Sequence, residues 1–252
     1  MPVQSNQIAT VAADDLNVVC RTKVWFGHQS VGMSVLAGVD GVFAAHGIPA
    51  PPIEQGQAET EPGPQGGFIA HEFIGENERP LLKIQAFDRA MRGGVADRVD
   101  VALMKFCYID FTSGTDVDAL FARYTATMTA LQTDYPDVAF VHATVPLTTE
   151  SGWMHKLKSK LRSSDRFSPA ESAVRERFNA LMVNECGDNN LFDLAAAEST
   201  QPDGTKVVRR YNGQEYAALC NGYAADLGHL NQQGAEIVAA ALLRAIAQAS
   251  GK

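Results

Sequence analysis

Short apolar runs recur along the chain and alternate with segments whose apolar residues have helical spacing. Runs that lack a polar face are typical of strands in a parallel sheet that is covered on both sides. The pattern therefore predicts five buried strands, at residues 24–26, 68–74, 99–107, 138–145 and 190–194.

Helices are predicted between these strands, because apolar residues there recur three and four positions apart. Pro80 suits the first position of a helix, and Tyr135-Pro136 suits the end of one. Five helices are predicted. One follows Ser30 and another follows Asn231, and the other three begin at Pro80, at Thr115 or Asp116, and near Ser168-Pro169. This alternation predicts an α/β protein, a three-layer α/β/α sandwich with a central parallel sheet.

Two long segments do not fit the alternation. Residues 46–67 are crowded with glycine, proline and glutamate, so we expect a surface loop that forms one wall of a substrate cleft. Residues 150–171 are basic and leave two interpretations open. One is a solvated helix; the other is a flap on which Trp153 offers a sugar ring an apolar platform and the cations attract a uronate or sulfate group. The basic residues are His155, Lys156, Lys158, Lys160, Arg162 and Arg166.

Length and charge narrow the class of protein. The chain has 252 residues, of which 46% are hydrophobic, so it can bury the core of one α/β domain. Its net charge of −8 argues against nucleic acid or an anionic membrane as a partner. No apolar run reaches the length of about 18 residues that a membrane span needs. We therefore expect a small-molecule or polysaccharide substrate and leave the oligomeric state open.

The first 20 residues have neither the basic start nor the apolar centre of a signal peptide. We interpret residues 1–20 as a leader that precedes a single domain at 21–252. We expect a secreted or periplasmic protein whose signal is absent from this chain, with a cytoplasmic location as the alternative.

The cysteines show no CxxC spacing, which argues against a zinc knuckle or a dithiol redox motif. A disulfide between Cys186 and Cys220 and a set of buried free thiols both stay open. The four cysteines are Cys20, Cys107, Cys186 and Cys220.

Ser30 is the first residue with a candidate chemical role. It lies between the strand at 24–26 and the helix that follows, where unpaired N–H groups and the helix dipole favour developing negative charge. A nucleophilic serine needs that environment, although serine is also a preferred helix N-cap. Both interpretations stay open for the isolated residue.

Asp226 and His229 form the second candidate feature, three positions apart in a turn before the last helix. At this spacing the carboxylate can orient the imidazole, and the imidazole can deprotonate a serine. The alternative is a solvated loop that leads into the helix at Asn231.

The segments FGHQSVG at 26–32 and DLGHLNQQG at 226–234 together resemble the first and last sequence blocks of the SGNH (GDSL-type) hydrolases. In that family the nucleophilic serine follows the first strand, and Asp-x-x-His before the last helix completes a Ser-His-Asp triad. This chain has His28-Gln29-Ser30 where the family more often has Gly-Asp-Ser, and the closing block matches well. The resemblance implies the same three-layer fold, with Ser30, His229 and Asp226 as the triad.

The same resemblance places Gly75 where the family's second block has a glycine whose N–H donates to the oxyanion. The family's third block usually reads Gly-x-Asn-Asp, and alignment of Asp110 with its aspartate puts Ile109 in place of the donor asparagine. An isoleucine side chain cannot donate a hydrogen bond.

Another donor must then complete the oxyanion hole. The candidates are Asn77, which we prefer, Lys105, or the backbone of Ser30 and Gly75 alone. A lysine in an apolar run is rarely unpaired, so we expect Lys105 to emerge near the site or to pair with a carboxylate such as Asp110. The alternative for Gly75 and Asn77 is a plain turn.

We therefore expect a serine ester hydrolase without metal or cofactor, and in particular a carbohydrate O-acetyl esterase. An O-acetyltransferase on the same scaffold is one alternative. A non-catalytic glycan-binding module, in which Ile109 has removed a required donor, is another. A metal site at His28, His71 and His142 has no supporting ligand spacing, and we interpret His142 as a hydrogen-bonded core histidine.

Overall fold

A computed structural model of the protein describes residues 11–149, 166–186 and 190–251. The strands of its main sheet are β1 (Lys23–His28), β2 (Ile53–Gln55), β3 (Phe68–Phe73), β4 (Val101–Met104), β5 (Ala139–Ala143) and β6 (Leu191–Phe192). Their order is β2-β3-β1-β4-β5-β6, and every pair is parallel. Strand β1 is central, so the loops after β1, β3 and β4 meet at one edge of the sheet.

Helices cover both faces of this sheet. Within the described ranges they are α1 (Ala13–Val19), α2 (Ser30–Ala37), α3 (Val39–Ala45), α4 (Pro80–Ala90), α5 (Val117–Asp134), α6 (Pro169–Cys186), α7 (Leu194–Ser199) and α8 (Gln232–Ser250). The architecture is the α/β/α sandwich that the alternation of strands and helices predicts.

Successive residues of the central strands belong to opposite cores. Val24 and Phe26 join the cluster under α1, α2, α3 and α8, whereas Trp25 joins the cluster under α4, α5 and α6. In β4, Leu103 and Ala102 divide in the same way. Because side chains alternate across a strand, apolar residues at every position bury both faces of the sheet.

The helix starts follow their sequence signals. Pro80 is the first residue of α4, and the side chain of Asp116 accepts a hydrogen bond from the backbone N–H of Ala119 to cap α5. Asn231 caps α8 in the same way, by accepting from the N–H of Gly234. These caps satisfy N–H groups that a helix leaves unpaired at its start.

Three elements differ from the sequence-based predictions. The segment 46–67 contains β2, which pairs with β3 and extends the sheet, so it is not wholly a loop. The connection before Asp226 contains an antiparallel hairpin, β7 (Val208–Tyr211) and β8 (Gln214–Ala217). The predicted leader is wrong for residues 13–19, because they form α1, whose Leu16 and Val19 are fully buried in the core that α8 covers. Residues 1–10, and the basic segment 150–165 with Trp153, lie outside the described residues.

All four cysteines are free thiols, so of the two alternatives left open by the sequence, the structure has the free thiols and not the disulfide between Cys186 and Cys220. Cys20, Cys107 and Cys220 are buried, as expected for small apolar core residues. Among the described helices, none has the length and apolarity needed to cross a membrane.

We predict that Gly38→Ala lowers the free energy of unfolding by about 1–3 kcal/mol, because an added methyl group overpacks a tight contact. Gly38 lies between α2 and α3, and a Cβ there would come within 2.3 Å of the Ala235 carbonyl oxygen on α8. Urea denaturation of the native and variant proteins measures the difference.

Gly93→Ala is the matched control, because a Cβ at Gly93 meets no atom within 4 Å. We expect it to change the free energy of unfolding by less than about 0.5 kcal/mol. Equal stabilities for the two variants would contradict the close approach of α8 to Gly38.

Candidate active site

The candidate nucleophile lies at the turn between β1 and α2. Strand β1 ends at His28, Gln29 is extended and serves as the N-cap, and Ser30 is the first residue of α2. Ser30 is exposed. The predicted strand-to-helix turn is therefore correct, and the alternative in which Ser30 caps the helix does not hold.

A continuous chain of hydrogen bonds joins Ser30, His229 and Asp226. The His229 Nε2 atom lies 3.1 Å from Ser30 Oγ, and His229 Nδ1 lies 2.8 Å from Asp226 Oδ2. Because a carboxylate only accepts, Nδ1 of the neutral imidazole donates to Asp226, and Nε2 is left to accept the Ser30 hydroxyl proton. In this tautomer His229 can act as the base for Ser30.

The other oxygen of Asp226 fixes the turn that carries both residues. Asp226 Oδ1 accepts from the N–H groups of Gly228 and His229, each at 2.8 Å. Burial acts to raise the pKa of Asp226, but these two N–H groups and the His229 imidazole outweigh it and hold the pKa below its ordinary value. Asp226 is thus an anion at neutral pH.

The turn that carries Asp226 and His229 does not follow a strand of the main sheet. It follows the β7–β8 hairpin and a short helical turn at Asn221–Tyr223, and the N–H of Thr149 donates to Leu227 O at 2.9 Å. The segment after β5 therefore holds the turn.

Tyr108 packs against the same turn. A Cβ at Gly228 would lie 2.5 Å from the Tyr108 ring, so only glycine fits there, and this ring meets His229 edge-on at 6.2 Å. Burial, with the nearby negative charge of Asp226, raises the pKa of Tyr108 to about 12. The Tyr108 phenol group therefore stays uncharged and packs beside the His229 imidazole.

The loop after β3 is tied directly to the nucleophile turn. The side chain of Gln29 donates through Nε2 to Ile74 O at 3.0 Å and to Gly75 O at 3.2 Å. Gly75 has a φ of +58°, and a Cβ there would come within 2.7 Å of the Lys83 backbone nitrogen. The loop thus requires glycine at this position and lies beside Ser30.

Asn77 follows in the same loop, where it is exposed. Its Oδ1 atom accepts from Lys83 Nζ at 3.0 Å, and Lys83 Nζ also donates to Asp110 Oδ2 at 2.5 Å. The structure therefore brings Gly75 and Asn77 to the edge that carries Ser30.

Lys105 does not face this site. Strand β4 ends at Met104, one residue before Lys105, which remains fully buried. Its ammonium group donates to Phe106 O at 3.2 Å and contacts Cys107 Sγ at 3.8 Å, whereas Asp110 pairs with Lys83. The prediction that Lys105 emerges at the site is therefore wrong, and its ion-pair partner is not Asp110, whereas the nearby Glu198 carboxylate interacts with its charge.

His28 and His71 form a buried pair beneath the nucleophile turn. His28 Nδ1 lies 2.8 Å from Gln29 O and must donate to that carbonyl, while His28 Nε2 lies 3.1 Å from His71 Nδ1. Burial lowers the pKa of His28 to about 3, so its Nε2 is an acceptor and His71 donates from Nδ1. The pair therefore anchors the peptide that precedes Ser30.

The other histidine of the rejected metal site lies apart from this pair. His142 Nδ1 bonds the hydroxyl group of Tyr124 at 2.8 Å, as predicted for a core histidine. The described residues contain no group of three or more potential ligand side chains that could hold a metal ion.

Sequence reasoning missed three residues at the site: Gln29, Lys83 and Tyr108. Lys83 had a usable signal, because it stands four positions before the buried Phe87 and so falls on the buried face of α4. Gln29 and Tyr108 had none, since their contacts depend on loops that are distant in sequence.

Known proteins were compared with the sequence and the fold. No protein-family model and no curated protein matches the sequence. Similar solved structures include one provisionally described as a lipolytic protein of the G-D-S-L family from Desulfitobacterium hafniense DCB-2, with 8% identity over 89% of this chain and 99% of that chain and a TM-score of 0.48. Another is provisionally described as an SGNH hydrolase from Slackia heliotrinireducens, with 14% identity, coverage of 88% and 97%, and a TM-score of 0.45. A third is the periplasmic domain of a lipopolysaccharide acetyltransferase from Salmonella ser. Paratyphi A, with 11% identity, coverage of 86% and 80%, and a TM-score of 0.45.

We predict that His28 and His71 are both neutral Nδ1–H tautomers at pH 7 and above, which imidazole ¹⁵N chemical shifts can measure. The folded-state pKa of His28, about 3, lies below its ordinary value of 6.5. Between these two pH values His28 is therefore protonated in the unfolded chain and neutral in the native protein. The contribution of His28 to the free energy of unfolding should therefore be fully present above pH 6.5 and should be lost as the pH falls towards 3.

His71→Gln identifies the two sets of ring resonances by removing one of them. A hydrogen on Nε2 of His28, in place of Nδ1, would contradict the hydrogen bond to Gln29 O.

Proposed function

We propose that the protein is a serine ester hydrolase of the SGNH type, and within that class a carbohydrate O-acetyl esterase. The observation that carries the proposal is the hydrogen-bonded chain from Ser30 through His229 to Asp226. A nucleophile, a base and a group that orients the base are the three parts that nucleophilic acyl transfer needs.

In the first half of the reaction Ser30 Oγ attacks the ester carbonyl carbon. His229 Nε2 takes the hydroxyl proton as the bond forms and gives it to the alcohol oxygen as the ester bond breaks. Asp226 remains ionised, holds Nδ1 in the donating tautomer and stabilises the transient imidazolium. The alcohol leaves, and Ser30 carries the acyl group.

In the second half a water molecule attacks the acyl-serine. His229 takes a proton from the water and returns it to Ser30 Oγ, which releases the carboxylic acid. The backbone N–H groups of Ser30 and Gly75, together with the Asn77 side chain, hold the negatively charged oxygen in both halves. Loss of one such donor typically lowers turnover about 10²–10³-fold.

The openness of the site supports a small acyl group on a bulky alcohol. The His229 and Asp226 side chains are 36% and 58% exposed, so a polymeric alcohol can approach the triad from solvent. The basic segment with Trp153 supports a carbohydrate through its sequence alone, because it lies outside the described residues.

We predict that Ser30→Ala lowers kcat for p-nitrophenyl acetate by about 10³-fold or more, because no other group replaces the nucleophile. A fluorophosphonate probe, which reacts with an activated serine, should label the native protein and fail to label the variant. Hydrolysis rates and labelling are measured on the same preparations.

Ser34→Ala is the matched control, since Ser34 lies one turn later on α2. It should keep native activity and labelling. Labelling of Ser30→Ala at the native rate would exclude the triad, and absence of labelling in the native protein would favour the glycan-binding alternative.

We predict that kcat/KM falls as the acyl chain of p-nitrophenyl esters lengthens from acetate to octanoate, and that acetylated xylan releases acetate. The reason is that an open triad offers a long acyl chain little surface to bury. A preference for octanoate would contradict the acetyl esterase proposal. Faster turnover with added xylo-oligosaccharides, with acetylated oligosaccharides as products, would instead identify an acetyltransferase.

A further inference from the structure

A buried lysine lies directly behind the loop that carries Gly75 and Asn77. Lys83 is in the first turns of α4, and its side chain has no exposed surface. A buried ammonium group is costly unless it is paired and hydrogen-bonded. Its partners therefore indicate what its position contributes.

Lys83 joins two loops of the site. Its ammonium group donates to Asn77 in the loop after β3 and to Asp110 in the turn after β4. Asp110 also accepts from the backbone N–H groups of Glu78 at 2.8 Å and Cys107 at 2.6 Å, which belong to the same two loops. Lys83 and Asp110 therefore lock the loops together.

The contact with Lys83 fixes the orientation of the Asn77 amide. An ammonium group has only donors, so the Asn77 atom that faces it must be the carbonyl oxygen Oδ1. The NH₂ group then points away from Lys83. Because Asn77 is exposed, this donor is accessible to a ligand.

The loop is fixed between the nucleophile and the histidine. On one side, Gln29 next to Ser30 bonds Gly75 O. On the other side, Asp110 belongs to the same short helical turn as Tyr108, which contacts His229. These contacts place the loop that carries Asn77 next to the turns that carry Ser30 and His229.

We propose that Lys83 is a positioning residue, which holds Asn77 so that its NH₂ group completes the oxyanion hole and replaces the donor that Ile109 lacks. This inference rests on the proposed serine esterase function. Asn77 touches the reacting oxygen, whereas Lys83 acts on that oxygen through Asn77.

A double-mutant cycle tests this coupling. Native protein, Asn77→Ala, Lys83→Met and the double variant are assayed with p-nitrophenyl acetate, after circular dichroism has established that each is folded. We expect Asn77→Ala to lower kcat about 10²–10³-fold with KM nearly unchanged, because the donor acts in the transition state. Lys83→Met should lower kcat by at least 10-fold, and the double variant should be no slower than Asn77→Ala.

Asn77→Asp separates the donor from the contact with Lys83. It keeps an oxygen for the Lys83 ammonium group but removes the NH₂ group, so we expect kcat as low as in Asn77→Ala. Native kcat in either Asn77 variant would overturn the inference. Losses that multiply in the double variant would also overturn it, because Lys83 would then act independently of Asn77.

A measurement on the native protein covers the case in which Lys83→Met does not fold. The ¹⁵N relaxation of the Asn77 side-chain amide, identified by its absence in Asn77→Ala, should report an ordered group despite its exposure. A freely mobile amide would overturn the inference.

Ser30→Ala distinguishes the two proposals. If Ser30→Ala retains native activity, the proposed esterase function fails. If Ser30→Ala loses activity while Asn77→Ala keeps full activity, only the role of Asn77 and Lys83 is rejected.

Discussion

The buried ion pair between Lys83 and Asp110 is the contact on which the candidate site depends. Their charged atoms lie 2.5 Å apart, and both side chains are fully buried. Removal of one partner from such a pair typically costs about 3–5 kcal/mol, because the other charge is left uncompensated. Asp110 also accepts hydrogen bonds from the backbone N–H groups of Glu78 and Cys107. Loss of the ion pair would therefore disturb the geometry of both loops as well as lower the free energy of unfolding. The pair therefore gives two irregular loops the fixed shape that preorganised donors require.

Helix packing sets the distance between the two halves of the triad. Ser30 begins α2, and His229 precedes α8 by only a few residues, so the contact between these helices controls how closely the two side chains approach. Gly38, at the end of α2, allows this contact, since a Cβ there would meet the α8 backbone. The sheet supplies the nucleophile and the loops after β3 and β4, whereas α8 supplies the histidine and the acid.

The sequence was informative wherever the signal is local. Apolar runs, Pro80, Asp116 and Asn231 predicted strands and helix starts because neighbouring residues set them. The prediction failed where tertiary structure decides. Strand β2 has only three residues and directly follows two prolines, so its sequence shows no alternation of apolar and polar residues. The buried Lys105 donates to the carbonyl oxygen of the next residue, whereas Asp110 pairs with Lys83, 27 positions away. The spacing of hydrophobic residues does not indicate which partner a buried charged residue has.

The remaining support for the triad comes from buried polar residues on α6 and α7. The segment after β5 has no regular structure but is buried, so its backbone needs partners from side chains. Asn179 bonds both the N–H and the carbonyl oxygen of Val145, and Glu198 accepts from the N–H of Leu147 at 2.5 Å. The same segment ends at Thr149, whose N–H binds the turn that carries Asp226 and His229. These polar side chains therefore act at a distance from the chemistry, because the position of the imidazole depends on a backbone segment that their hydrogen bonds help to hold.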